Sequence, residues 1–346
     1  MKSKLFALVS LLVVAGFVIS CAPAATAAPA AKKLKVVHLI NGTLGDKSFI
    51  DSAHRGLVQA AKDFNFDLVT IEAGTDPAKW EPAFTDTVQD PTVDFIVIGS
   101  GDLMDVLVKN APLHPEKKFI MYDNPVDFAK CGSGCNNIYA VQYKQNEGSY
   151  LAGLYAGLMS KSKIIGAVGG MDIPVINDFM VGYIQGAGDA GVTKANVLIQ
   201  YAGSWSDPAK GKELALTMYQ QGADIVFQVA GGTGQGVFAA ALEANKWAIG
   251  VDSDQALIIE TTSPDQAKHI LTSMQKNVDK SLYRAFKLNS EGKLPLGTNE
   301  NLGIPDGVGL AYNKYYDANT PQDVKDKITA AEQDVISGKI KVATVF

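Results

Sequence analysis

Cysteine is scarce in this chain: three residues in 346, at positions 21, 131 and 135. So few exclude a scaffold stapled by several disulfides and any centre that needs four thiolates. Histidine numbers only four, and His38, His54, His114 and His269 form no spaced metal motif such as H-E-x-x-H. Positive charge is not in excess, with 31 Lys and Arg against 36 Asp and Glu, so nothing offers a footprint for nucleic acid. Long hydrophobic runs are missing too. The longest apolar stretch, Leu5 to Ile19, falls short of the roughly 20 residues a membrane helix requires. Neither a G-x-S-x-G elbow nor a Walker-type phosphate loop occurs. No catalytic site, metal or cofactor is therefore expected.

What is there begins with an export signal. Lys2 and Lys4 precede the apolar stretch, and Val18-Ile19-Ser20-Cys21 closes it with a small residue directly before a cysteine. The pattern is similar to a bacterial lipobox. Residues 1–20 are expected to be a signal peptide, Cys21 the lipidated first residue, and 21–33 an Ala/Pro tether without large apolar side chains. The rest is too long for one ordinary domain and comfortable for two.

Through that remainder, short apolar runs alternate with amphipathic segments. Val36 to Ile40, Leu68 to Ile71, Phe95 to Ile98 and Phe119 to Tyr122 occupy the first half. Ile164 to Val168, Val197 to Tyr201, Ile225 to Val229 and Ala248 to Val251 occupy the second. Continuous apolar runs of this length suit parallel strands covered by helices on both faces. The halves are related by a nearly constant offset. Phe49 and Phe179 lie 130 apart, Asp76-Pro77-Ala78-Lys79 returns 131 later as Asp207-Pro208-Ala209-Lys210, and Asp123 matches Asp252 at 129. The expected fold is α/β, with two doubly wound parallel-sheet domains joined by a hinge. The expected boundaries are 34–140 plus about 277–306 for the N-terminal lobe and 141–276 plus about 307–346 for the C-terminal lobe. Ligands of such sheets sit at the carboxyl ends of strands, where the repeated markers fall.

Several residues there could carry chemistry. Gly231-Gly232-Thr233-Gly234 follows a strand and precedes a helical segment. Its spacing and late position argue against a dinucleotide fingerprint and for a loop whose backbone N–H groups meet a polar ligand. Phe49 and Trp205 occur in polar, turn-like segments, where a large ring can stack on a ligand or fold back onto its own domain. Cys131 and Cys135 flank a three-residue loop, which in an exported protein favours a disulfide over a metal site. His38, inside an apolar run, is expected to be a packed core residue.

Gly45-Asp46-Lys47-Ser48-Phe49, Glu147-Gly148-Ser149-Tyr150-Leu151-Ala152-Gly153, Gly169-Gly170-Met171-Asp172-Ile173-Pro174, Gly203-Ser204-Trp205-Ser206-Asp207-Pro208 and Gly250-Val251-Asp252-Ser253-Asp254-Gln255 together resemble the basic membrane protein family. These are substrate-binding lipoproteins of ABC importers and include the purine nucleoside receptors. The resemblance, from about Lys35 to the end of the chain, implies a type I periplasmic-binding fold with three hinge crossings. It implies a base stacked on Phe49 and on an aromatic at Trp205, hydrogen-bonded by Asp123, with Asp252 and Lys276 on ribose hydroxyls. It further implies a membrane permease as partner, a lipid-anchored extracytoplasmic monomer and no enzymatic activity. The chain departs from the nucleoside-binding pattern at two positions, Asn41 in place of Asp and Ile50 in place of Asn. A carboxylate accepts two strong hydrogen bonds that an amide or an alkyl group cannot reproduce. A modified nucleoside, a sugar, a signalling molecule or a sensory role without transport are the alternatives.

Overall fold

A computed structural model of the protein describes residues 32–132 and 134–346. The expected signal segment, Cys21 and the tether as far as Ala31 lie outside the described residues. No described helix is long and apolar enough to cross a membrane.

The strands are β1 (Lys35–Ile40), β2 (Asp67–Glu72), β3 (Phe95–Gly99), β4 (Lys118–Tyr122), β5 (Ile138–Tyr143), β6 (Ile165–Gly169), β7 (Val197–Tyr201), β8 (Ile225–Val229), β9 (Trp247–Asp252), β10 (Ile270–Lys276), β11 (Thr298–Leu302) and β12 (Val308–Leu310). The helices are α1 (Phe49–Phe64), α2 (Trp80–Gln89), α3 (Met104–Asn110), α4 (Gln145–Met159), α5 (Pro174–Asp189), α6 (Pro208–Gln220), α7 (Gln235–Ala244), α8 (Gln255–Glu260), α9 (Pro264–Ala267), α10 (Val278–Ser290), α11 (Lys314–Asn319) and α12 (Gln322–Ile336).

Among the described residues the strands form two six-stranded sheets, ordered β2-β1-β3-β4-β5-β11 and β7-β6-β8-β9-β10-β12. The orders are the same plan twice, as the constant offset predicts. They differ at one edge: β11 runs parallel to β5, whereas β12 runs antiparallel to β10. Both faces of the first sheet are covered. Val37, Leu39, Ile96 and Ile98 pack on Phe84 and Leu107, from α2 and α3. Their chain neighbours Val36, Phe95 and Val97 pack on Leu57 and Phe286, from α1 and α10. Alternate side chains of a strand point to opposite faces, so burial on both requires the uninterrupted apolar runs seen in the sequence. The second sheet repeats the arrangement, with Val168 and Val226 against Leu214 and Phe238 on one face. Ala167 and Phe227 lie in the larger cluster with Phe179 and Tyr183 on the other.

The repeated Asp-Pro-Ala-Lys segment is a helix-start signal in both halves. Asp76 accepts the Ala78 N–H at 3.1 Å and Asp207 the Lys210 N–H at 3.0 Å, with proline in the first turn each time. α4 and α5 are the most closely joined helices of the second lobe. Their contact runs through glycines: a Cβ on Gly153 would stand 2.0 Å from the Tyr183 carbonyl oxygen, and one on Gly186 the same distance from that of Tyr150.

The chain passes between lobes three times: between Tyr143 and Gln145, between Lys276 and Val278, and between Leu302 and Val308. The expected boundary at 140 falls inside β5, whose last residue, Tyr143, still pairs with Leu302 in the first sheet. Hydrogen bonds tie the crossings to one another. Lys144 N–H donates to the Leu302 carbonyl, Ile304 N–H to the Glu147 carboxylate, and Asn277 N–H to the Gly307 carbonyl. Away from the crossings, Cys131 and Cys135 are joined by a disulfide with Cα atoms 5.6 Å apart.

Candidate functional site

The carboxyl ends of the two sheets face each other, and the matched aspartates stand there. Asp123 follows β4 with φ of 70° and Asp252 ends β9 with φ of 62°, both in the left-handed region that side chains other than glycine rarely occupy. Two such residues at equivalent strand ends are a mark of a site held by its surroundings. Lys276, the last residue of β10, sends its ammonium 2.7 Å from the Asp123 carboxylate. The two side chains are 4% and 9% exposed, so the pair is desolvated. The same ammonium lies 5.0 Å from the Phe49 ring and 5.0 Å from the Phe179 ring, with Tyr143 at 5.8 Å. Cations over ring faces are attracted by the ring quadrupole, more so when desolvated. The repeated phenylalanines thus flank one charge, Phe49 from the first lobe and Phe179 from the second. Phe49 also packs on Tyr122, at 5.3 Å between ring centroids.

Asp252 is bound across the lobes by the Ser48 hydroxyl at 2.5 Å. Asp46 accepts the N–H groups of Ser48, Ile50 and Asp51 at the start of α1. Asp123 and Asp252 therefore share a single ammonium, and Asp46 stands near enough to Asp252 to repel it. Burial holds all three above the usual carboxylate range; Lys276 opposes this for Asp123, and three backbone N–H groups oppose it for Asp46. Asp252 is pushed up to about 6, chiefly by burial, against the pull of Lys276 and Ser48 and with the repulsion of Asp46 and Asp123. A carboxyl raised in the fold holds its proton there longer than in the unfolded chain. The stability it contributes is present below its unfolded value of 3.8 and is lost as pH rises through about 6. Ligand-free protein should therefore lose part of its stability between pH 4 and 6, and Asp252→Asn should flatten that part of the profile. Equal slopes for the two proteins in denaturant titrations at several pH values would contradict this linkage.

The other expected residues lie around this cluster. Asn41 donates its amide to the Ser100 hydroxyl at 2.9 Å and to the Asp102 carboxylate at 2.6 Å, at the ends of β1 and β3. Ile50 lays its side chain against Gly42. Trp205 is 42% exposed, and its ring lies on Gly170 and beside Gly231, within its own lobe. It does not join the rings around Lys276. Gly231 has φ of 54°, at the position matching Ser100 with φ of 68°, which places the glycine loop and Ser100-Gly101-Asp102 as counterparts. Gly232 lies close to the Trp205 carbonyl and to the Cα of Asp46 in the opposite lobe. Gly231 and Gly232 thus border the cleft where the lobes meet. A groove of about 420 Å³ at the outer lip is lined by Lys47, Pro208, Lys212, Gln235 and Ile259 among others, and by none of the three aspartates.

Sequence reading missed Phe179, Tyr122, Tyr143, Ser48 and Asp46 as members of the cluster. Phe179 had a signal, its offset of 130 from Phe49. His38 is fully buried with Nε2 3.0 Å from the Tyr122 hydroxyl, and burial with His54 nearby lowers its pKa to about 3. It is a neutral packing residue.

Comparison with known proteins agrees with this architecture. Residues 33–344 match the model of the Bmp family, described as ABC transporter substrate-binding protein PnrA-like. The ABC transporter nucleoside-binding protein BmpA of Lactococcus lactis subsp. cremoris is 33% identical, over 90% of this chain and 88% of its own length. The CD4+ T-cell-stimulating antigen of Listeria innocua is 31% identical, over 87% and 85%. Among solved structures, an ABC transporter solute-binding protein of Aeropyrum pernix K1 superposes with a TM-score of 0.78 at 28% identity, covering 90% of this chain and 93% of that one. Two doubly wound sheets joined by three crossings, with paired aspartates at facing strand ends and a family match over nearly the whole described chain, lead to one assignment: the protein belongs to the Bmp family of PnrA-like ABC transporter substrate-binding proteins, with a type I periplasmic-binding fold.

Proposed function

We propose that this receptor captures a purine nucleoside outside the cytoplasm, between its lobes, and delivers it to a membrane permease without altering it chemically. The observation that carries the reading is the cluster of the buried Asp123, Asp252 and Lys276 side chains with the half-buried ring of Phe49. It combines a ring face for a base with carboxylates that accept hydrogen bonds from base N–H and ribose O–H groups. Lys276 supplies donors to ribose hydroxyl oxygens and base acceptors. Trp205, with an exposed ring face at the rim, closes over the base from the second lobe, while Asn41, Gly231 and Gly232 border the ligand. The relative from Lactococcus lactis carries a nucleoside-binding name, which supports the same ligand class. Cys21 holds the receptor to the membrane through its lipid, and the receptor acts as a monomer. Recovery of a Cys21→Ser variant in the soluble fraction checks that anchor.

The ligand test is a thermal shift on protein stripped of bound solute. Purine nucleosides should stabilise the fold by about 2.7 kcal/mol at a hundredfold excess over Kd. Free ribose should do far less, because it has no ring to stack. Phe49→Ala should weaken nucleoside binding by about 1–3 kcal/mol, the range for stacking on a side chain. No shift from a nucleoside panel beside a clear shift from a sugar would overturn the ligand class. A second reading, a modified nucleoside, is favoured by Ile50. Its side chain gives no hydrogen bond where nucleoside receptors of the family present an amide.

A further inference from the structure

The segment Gly45-Asp46-Lys47-Ser48 has an unusual division of its backbone groups. Three of its N–H groups, those of Gly45, Lys47 and Ser48, are satisfied within the first lobe. Gly45 and Lys47 donate to the two carboxylate oxygens of Asp51, while Ser48 donates to Asp46, which also takes the N–H groups of Ile50 and Asp51. Gly45 and Lys47 both have positive φ, 102° and 55°, which turns the peptide planes of this short stretch. All four carbonyls then meet side chains of the second lobe. Gln235 Nε2 donates to the Gly45 oxygen at 3.2 Å and to the Asp46 oxygen at 3.4 Å. Gln255 Nε2 donates to the Lys47 oxygen at 3.1 Å, and the Ser253 hydroxyl to the Ser48 oxygen at 3.5 Å.

We propose that these four carbonyls with Gln235, Gln255 and Ser253 form a latch that sets the balance between open and closed lobes independently of which solute is bound. The partners on one side are main-chain oxygens, so the latch reads the position of a lobe and not the chemistry of a ligand. Its donors are aimed in advance. The Gln255 amide oxygen accepts the N–H of Val251 and the side chain of Gln228, which fixes the amide plane and leaves Nε2 directed at Lys47. Gln235 opens α7, whose backbone fixes the start of its side chain. The contacts are longer than the usual 2.9–3.0 Å for N–H···O bonds, so each is weak and the set biases closure without locking it. A receptor whose closed state is partly populated in advance binds every solute of the cleft more tightly by one common factor. Gln235, Gln255 and Ser253 are thus positioning residues for capture, on the reading that solute binds between the lobes.

Gln235→Glu tests this. It keeps the size of the side chain and suits a helix start, where negative charge is favourable. It also sets carboxylate oxygens against the Gly45 and Asp46 carbonyls. Distances between spin labels on Gln89→Cys and Glu213→Cys, one in each lobe, report the closed fraction of solute-free protein. The closed-to-open ratio should fall by about 3- to 10-fold in Gln235→Glu, the effect of losing one to two modest hydrogen bonds. Ser253→Ala should move it in the same direction by less. The Kd of each solute that binds, inosine and any other, should rise by the factor seen in the label distances. An unchanged distance distribution in Gln235→Glu with an unchanged melting temperature would overturn the latch, as would a Kd change for one solute alone. Failure of the nucleoside reading looks different: inosine does not bind, yet the label distances still respond to the substitution.

Discussion

In a Lys276→Met variant the unfolding free energy should fall by about 3–5 kcal/mol, the cost of removing one member of a buried ion pair. The substitution keeps an unbranched apolar stem between the Phe49 and Phe179 rings but removes the ammonium paired with Asp123. Asp123 is then left buried without a counter-charge, near Asp252, whose carboxyl its charge already pushes up. Guanidinium unfolding of the two proteins measures the loss. Adding Asp123→Asn to Lys276→Met should recover most of it, because the stranded charge is removed while Asn keeps the size of the side chain and tolerates the left-handed backbone. Recovery will be incomplete, since Lys276 also attracts Asp252. A double variant less stable than Lys276→Met would show that Asp123 contributes through something other than this pair.

Gly186→Val should cost about 3 kcal/mol or more, at or beyond the upper end for overpacking, and should lower soluble yield. A Cβ at Gly186 meets backbone on α4, the Tyr150 oxygen at 2.0 Å and the Leu154 nitrogen at 2.7 Å, and backbone cannot swing aside as a side chain can. Gly182, with the Asn146 oxygen 2.2 Å from its Cβ position, and Gly153 stand in the same seam. Separation of α4 from α5 would pull α4 away from the first crossing at Lys144. Gly188→Ala is the control. Nothing lies within 4 Å of its Cβ position, so alanine should be neutral or add up to about 1 kcal/mol of helix propensity. Equal unfolding midpoints for Gly186→Val and Gly188→Ala would refute the close seam.

Eight of the twelve described strands were legible as short apolar runs within two residues of the observed strands; six of them are buried on both faces, which demands such runs, while β2 and β7 are sheet edges that stay partly exposed. The aspartates at 123 and 252 were legible from their offset, as were the two Asp-Pro-Ala-Lys helix starts. The strands at the second and third crossings were not. β10 reads ILTSMQK and β11 reads TNENL, and polar residues in them leave no period to find. Their polar side chains have specific tasks: Thr272 donates to the Ala311 carbonyl, Ser273 accepts the Gln255 N–H, and Glu300 joins Arg284 and Tyr139. Asp46 looked like a turn residue because its role depends on Asp51, five positions on, and on a lobe about 200 residues away. Trp205 was legible as an unusual aromatic, but its seat on Gly170 depends on a glycine that sequence alone assigns to a loop.

The ties among the three crossings bear on how a moving receptor finds its closed state. Lys144, Glu147, Asn277, Ile304 and Gly307 join the connecting segments into one braced strut, so sliding or twisting of one lobe past the other breaks bonds that a simple bend leaves intact. Motion is then channelled along a single soft coordinate, like a door on aligned pins. Residues 45–48 travel one arc and arrive at Gln235, Gln255 and Ser253 together. Partners on two separate segments of the second lobe, the start of α7 and the turn into α8, meet in registration.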